Sequence, residues 1–405
     1  MTSPQTSSES HIRALIAQHG KISFAQFMAI ALYEPGVGYY SEPARVSESG
    51  DFFTSPATHP AFGALLTVQL HQMWLALGSP DPFRVMEMGA GSGLLGDDIV
   101  SFTSSLDAAF ASALTYQRLD RASPEFSTAI SAPGLDCSEP FHCVLSNELL
   151  DAFPVLLFQI ENGTVREKFV TQNGDHLEFQ LDDVSDPEIA SRIEPYLGEL
   201  PDGYESEICL GLMSWAEQLS TNVTSGYVIS IDYGYTRDAF YAPQRSLGTL
   251  QCHYRHTVDA DPMARIGKQD ISAHVDFTAV DEAMAAKGFE AIANVSQAEL
   301  LTLLGIEAYL DRLIAGGLPQ QDMKSNQYAL RALTEPEGLG RFRVAIHAKD
   351  APVDGIPHIA AQTARLFDNA TLPVLDDDPR RVNLFAGAHG SREQIICTWG
   401  KLFGD

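Results

Sequence analysis

The stretch from Phe83 to Val100, FRVMEMGAGSGLLGDDIV, constrains what this chain can fold into more than any other. An apolar run carrying Val85, Met86 and Met88 ends beside Glu87, breaks into Gly89, Ala90, Gly91, Ser92 and Gly93, and resumes as a helix-compatible segment. This order predicts a buried strand, a tight glycine turn and a helix N-terminus, the arrangement in which backbone N–H groups face a bound ligand.

Two frames compete for the loop. Gly91, Gly93 and Gly96 satisfy the GxGxxG dinucleotide pattern, but that frame leaves Glu87 and Gly89 without work and lacks the expected acid about 20 residues further on. In the other frame, Glu87 precedes three alternating glycines, Gly89, Gly91 and Gly93. Such a loop wraps an amino-acid moiety and a ribose, and a carboxylate at Glu87 suits an ammonium and repels a pyrophosphate. Asp120, after the strand candidate Leu114 to Leu119, can accept both ribose hydroxyls. Both observations favour S-adenosylmethionine over NAD.

Around this loop the chain reads as α/β. Strand candidates ending at Asp120, at Asn147-Glu148 and at Asp232 put carboxylates on one edge, which in an open α/β sheet is the ligand-binding edge. Glu148 and Asp151, three apart at that mouth, can hold a guanidinium by paired charge-assisted bonds and accept the proton its nitrogen loses. Asp232 is a candidate substrate contact at the same edge.

The linear order suggests an N-terminal helical and lid region (1–80), with Gly20 as a joint and Ser23 as an N-cap. Its aromatic loop, with Tyr33, Tyr39, Tyr40, Phe52 and Phe53, reads as a lid or binding loop, and Tyr39 as its candidate substrate contact. A first half of the core follows (81–154), with a helix expected from Leu94 to Phe110 and a break near Ser101 to Ser105. Asn162-Gly163 and Asn173-Gly174 mark hairpins in an insertion (155–206). The core continues over 207–235, with a helix expected over 207–219. A substrate-side insertion (236–276), the end of the core with a helical addition (277–349) and a C-terminal extension (350–405) complete the division. In the extension only NLFAG and QIICTW suggest elements.

With 53 acidic against 26 basic side chains the formal charge is -27, which repels a phosphate backbone and argues against nucleic-acid binding. The five scattered cysteines suit reduced thiols, the polar N-terminus lacks an apolar signal core, and no run of 18 apolar residues occurs. The expectation is a cytoplasmic protein without a membrane span. A homodimer would form through the additions around 155 to 200 or through the tail, although no apolar stripe selects a partner. His253, His256 and His274 with Asp232 and Asp276 reproduce no short ligand motif, so no metal is expected. No GxSxG elbow and no P-loop signature occur.

The blocks GVGYYS, GDFFTSPATHPAFG, VMEMGAGSG, SNELLDAFPV, LPDGYESEI, ISIDYG and DISAHVDFT occur in this order, and over roughly residues 15 to 348 the chain resembles the MidA family (DUF185). Its mitochondrial members are arginine methyltransferases that assist complex I assembly. The resemblance implies a seven-stranded, Rossmann-like class I methyltransferase core with added elements, S-adenosylmethionine as donor, and transfer to a protein arginine. It implies that Glu87, Gly89, Gly91 and Gly93 hold the donor with Gly50, Asp51 and Phe52 near the same pocket, that Asn147, Glu148, Asp151 and Pro154 line the reaction site, and that His274 belongs to the substrate wall. The chain departs from the family at Ala57, where a glutamate is usual, at Ser92, where a basic residue is common, and at Asp120, where a glutamate is usual. The alternatives in other classes are an NAD(P)-dependent oxidoreductase and a non-catalytic assembly factor that binds the donor.

Overall fold

A computed structural model of the chain describes residues 7–41, 54–120, 139–254, 257–357, 366–368 and 370–381. At its centre lie six strands: β1 (Phe83–Met88), β2 (Leu114–Leu119), β3 (Cys143–Asn147), β4 (Gly226–Asp232), β5 (Glu290–Ser296) and β6 (Arg343–Lys349). They are ordered β5-β6-β4-β3-β1-β2, with β2, β1, β3 and β4 parallel and β6 antiparallel to both of its neighbours. This is the expected mixed α/β core. Six strands stand among the described residues where seven were expected, and the stretch 121–138 between β2 and β3 lies outside them.

The parallel strands are apolar on both faces because helices cover both. Val85, Leu145 and Ile229 face one core with Leu65, Phe102 and Ile346, while Met86, Met88, Val144 and Val228 face another with Trp215, Phe277 and Met284. The chain runs from β1 to β2 on one side and then returns to β3 on the other. The sheet therefore has its switch point between β1 and β3, where the loops at their carboxyl ends diverge and leave a crevice.

The stretch Phe62 to Leu77 carries Leu66, Leu70, Met73 and Leu77 on one side of a helix, yet in the helix Ala61–Ala76 every residue from Ala61 to Trp74 is buried, because it is packed in by neighbours all round. The break expected near Ser101 to Ser105 is absent. The helix Leu94–Leu106 runs through it, since the Ser101 and Thr103 hydroxyls bond back to the carbonyls of Asp98 (3.1 Å) and Val100 (2.7 Å) and leave the helical bonds in place. The boundary comes at Asp107, whose carboxylate caps Ala108–Ala113 through the amides of Ala109 (2.7 Å) and Phe110 (2.9 Å).

A second, antiparallel sheet contains the two hairpins Leu156–Glu161/Thr164–Asn173 and Thr164–Asn173/His176–Asp182, with turns at Asn162-Gly163 and around Gly174. Its other strands are Glu205–Ile208, beside Leu156–Glu161, and Lys21–Ser23, beside Thr164–Asn173. Glu205–Ile208 corrects the helix expected from 207, which starts at Gly211. Alternation sends Phe158 and Ile160 to one core with Ile189 and Tyr241, and Leu157 to another with Ile12, Phe24 and Phe27 of the N-terminal helices Ser8–His19 and Phe24–Tyr33. Residues 8–33 and 155–208 thus share a sheet and a core.

Candidate functional site

The loop after β1 has the geometry its glycines allow. Gly89 (φ +73°), Gly91 (φ +51°) and Gly93 (φ +75°) all take left-handed conformations that side chains resist. The Gly89 and Ala90 amides donate to Leu119 O (2.8 and 3.3 Å), tying the loop to the end of β2 beside Asp120, and Gly93 is the N-cap of Leu94–Leu106. A Cβ on Gly89 would stand 3.1 Å from Leu149 Cδ1, whereas one on Gly91 would meet open space. The loop exposes its tip at Gly91 and Ser92, and Asp120 is exposed at its rim. Gly96, the third glycine of the dinucleotide frame, is explained by packing, since a Cβ there would be 2.4 Å from Arg118 Nε and 2.7 Å from Tyr116 Cε1.

Glu87 is buried in β1, and its Oε2 accepts from Tyr116 Oη on the neighbouring strand at 3.0 Å. Burial pushes its pKa up to about 7 against the opposing hydrogen bond from Tyr116 and the charge of Arg118. Gly50, Asp51 and Phe52 lie outside the described residues.

Across the crevice, β3 ends at Asn147 and turns through Glu148, whose φ of +52° marks a strained turn. Asn147 Nδ2 donates to Glu148 Oε1 at 3.0 Å, and the Ser55 amide donates to the same carboxylate. Burial, with Asp151 nearby, pushes the Glu148 pKa up to about 8. A single 3₁₀ turn, Leu150–Ala152, carries Asp151, which is buried and accepts from the Tyr233 hydroxyl through Oδ2. Its pKa is pushed up to about 6, chiefly by burial. Asp151 Oδ1 and Asn147 Oδ1 are buried and have no partner among the described residues. Unsatisfied buried acceptors of this kind are costly, and two of them beside two carboxyls can take hydrogen bonds from a donor-rich cation.

Asp232 takes a different place from the one expected. Its Oδ2 accepts from the amides of Leu149 (3.1 Å), Leu150 (2.9 Å) and Asp151 (3.3 Å), and its Oδ1 from the amide of Tyr233 (2.9 Å). The carboxylate is occupied by backbone, so it shapes the turn that presents Asp151 and is not a free substrate contact. His274 packs edge-on against Tyr233 (ring centroids 5.0 Å apart), and burial lowers its pKa to about 3, which keeps the imidazole neutral. It stands behind Tyr233. Tyr39 is buried and packs edge-on against Tyr40 (5.1 Å), which stacks on Tyr33 (5.5 Å). Tyr33 Oη donates to Ala152 O at 2.7 Å, so these aromatics brace the turn bearing Asp151 from the N-terminal side.

Tyr233 and the Ser55 amide have no role in the sequence reading. Tyr233 directly follows a recognised strand-end acid, which is a weak signal, whereas the Ser55 amide leaves no trace in the sequence.

Comparisons with known proteins agree with this geometry. A family model for S-adenosyl-L-methionine-dependent methyltransferases matches residues 65–295, more than half of the chain. A fruit-fly (Drosophila melanogaster) protein, named protein arginine methyltransferase NDUFAF7 homolog, mitochondrial, is 27% identical over 85% of this chain and 87% of its own length. The human (Homo sapiens) protein arginine methyltransferase NDUFAF7, mitochondrial, is 26% identical over 77% of this chain and 76% of its own. A crystal structure from Burkholderia thailandensis, bound to S-adenosyl-homocysteine, is 29% identical and superposes with a TM-score of 0.74, over 91% of this chain and 98% of that one. The mitochondrial names of the relatives overturn the cytoplasmic expectation. Reduced thiols and a missing apolar signal core do not distinguish the cytosol from other reducing compartments, and import into mitochondria uses amphipathic leaders instead.

Proposed function

Because the chain belongs to the family of S-adenosyl-L-methionine-dependent methyltransferases, we propose that it transfers the methyl group to a guanidinium nitrogen of an arginine in a protein substrate. The observation that carries this reading is the pair of carboxyls, half-buried Glu148 and buried Asp151, beside the buried acceptors Asp151 Oδ1 and Asn147 Oδ1, which have no partner among the described residues. Without a cation these acids repel one another and hold protons. A guanidinium brings five N–H donors and a permanent charge, so it relieves the repulsion and satisfies both acceptors.

The cradle fits the donor: the left-handed turn set by Gly89, Gly91 and Gly93 leaves the exposed backbone at Gly91 and Ser92 open to its amino-acid part, and Asp120 stands at the rim for the ribose hydroxyls. When bound, the donor supplies a methyl carbon made electrophilic by its sulfonium. Glu148 and Asp151 hold the guanidinium so that one nitrogen lone pair is aligned with that carbon. As the nitrogen–carbon bond forms, the carbon–sulfur bond breaks with its electron pair going to sulfur. The proton lost by the nitrogen goes to one of the two carboxylates, whose raised proton affinities suit an acceptor near neutral pH. Tyr233 and Asn147 keep the carboxyls in place.

The names of the relatives, which include the words protein arginine methyltransferase, support the acceptor class. The test is incubation with isotope-labelled donor and a lysate of the source organism, followed by peptide mapping. Label on arginine is the expected result; label confined to lysine, a carboxylate or a small molecule overturns the reading. Glu148→Gln and Asp151→Asn are each expected to lower the rate by about 10²-fold or more at unchanged donor affinity.

A further inference from the structure

Residues 370–381 return across the molecule as an extended strap and end on two adjacent arginines. Arg380 Nη1 donates to Ser92 O in the glycine loop (3.1 Å) and to Asp97 Oδ2 (2.7 Å), while Asp378 fixes the rest of the guanidinium, at 2.6 Å from Nη2. Asp97 is shared: its Oδ1 accepts from Arg118 Nη2 (2.6 Å), two residues before Asp120. Arg381 binds Asp98 through both Nη1 (3.1 Å) and Nη2 (2.5 Å) and donates to Pro56 O (3.1 Å), next to Ser55, whose amide holds Glu148. The strap is anchored upstream, where Tyr309 Oη donates to Pro373 O (2.5 Å) and Leu375 N to Asn326 Oδ1 (2.9 Å).

We infer that this strap is a positioning element of the donor site, in which Arg380 fixes the glycine loop through Ser92 and Asp97, and Arg381 fixes the turn at Ser55–Pro56 against the same helix. The Ser92 carbonyl is the only group of the exposed loop tip that this network grips, and a left-handed backbone at Gly91 and Gly93 has many conformations to lose. An external hydrogen bond with charge assistance removes that freedom before the donor arrives. The two arms also connect the donor side of the crevice to the Glu148 side, so one strap sets their separation.

The inference concerns donor binding alone, so its failure is distinguishable from failure of the guanidinium reading. The experiment uses the full chain and S-adenosyl-homocysteine in calorimetric titration, well below the melting temperature, with amide hydrogen exchange of residues 89–93 as the second readout. Arg380→Ala is expected to weaken binding about tenfold, and to speed exchange in the loop while exchange in β1 stays as it was. Arg380→Lys, which keeps the charge and loses the fork, is expected to fall between the two. Wild-type affinity in Arg380→Ala overturns the inference. Should that variant not fold, wild-type affinity and loop exchange in Arg380→Lys do so instead. Weakened binding with unaltered loop exchange equally overturns it, since the arginine would then act on the ligand and not on the loop.

Discussion

Glu148 is where structure and chemistry pull in opposite directions. Its pKa rises from 4.5 to about 8 in the folded chain, so between these values the folded state keeps a proton that the unfolded state has released. Stability therefore falls as pH rises through that window, by at most about 1.4 kcal/mol per pH unit. Glu148→Gln, which has the same shape and does not titrate, is expected to melt higher than the parent at pH 8 and no higher at pH 4, in paired denaturation curves. Equal shifts at both pH values would remove the burial argument. Gly91 gives a second prediction at this scale. A valine there must adopt φ near +51°, at a cost of roughly 1–3 kcal/mol in strain, so Gly91→Val is expected to weaken S-adenosyl-homocysteine binding about 10- to 100-fold in titration calorimetry. Intact affinity in this variant would remove the loop from the donor site. Glu87, Gly89 and Asp120 were legible from the sequence because strand-loop order alone brings them to one edge. Asp232 was legible as a strand-end acid but not as a turn-former, because three of its four amide partners lie 81 to 83 residues away in sequence.

Elements with local signals were read closely. Ser23 caps Phe24–Tyr33 in a reciprocal box with Gln26 (Ser23 Oγ from Gln26 N 3.2 Å, Gln26 Oε1 from Ser23 N 3.1 Å), as its type and position predict. Ser23→Ala is expected to cost about 1 kcal/mol, read as a lower denaturant midpoint with an unchanged slope. The hairpin turns at Asn162-Gly163 and Gly174 were equally visible, since Asn162 (φ +52°) and Gly163 (φ +72°) adopt the conformations their types favour. Where no local signal exists the reading faltered. The helix expected over 207–219 takes in Glu207 and Ile208, and only pairing with Leu156–Gln159 decides for a strand there. Lys21–Ser23, three residues long, exists because Thr164–Asn173 is there to receive it.

At the scale of the molecule, the pair Arg381–Asp98 joins parts of the chain 283 residues apart, and both side chains are buried. Arg381 also pairs with Asp376 at 2.8 Å, so Asp98→Ala leaves the arginine a partner, whereas Arg381→Ala strands Asp98 and is expected to destabilise by roughly 3–5 kcal/mol. The double replacement Arg381→Met with Asp98→Leu is expected to recover most of that in chemical denaturation. Additive losses in the double variant would show that the pair is not coupled. The same scale decides the N-terminal unit, whose helices bury Ile12, Phe24 and Phe27 against Val155, Leu157 and Val170 of the hairpin sheet and bring Tyr33 to the turn carrying Asp151.

The amino-acid sequence by itself determined the strand–glycine loop–helix unit, the α/β class, the hairpins and the acids at the sheet edge, because each follows from residue type and short-range spacing. The tertiary structure decided what surrounds those acids: Asp232 is spent on backbone amides, Asp151 Oδ1 has no side-chain partner among the described residues, and Glu148 is held by an amide from a distant turn. It also decided that residues 370–381, silent in the sequence, reach the glycine loop. The reason is physical. Burial and long-range hydrogen bonding set proton affinity and partner choice, and both depend on which surfaces meet after the chain has folded.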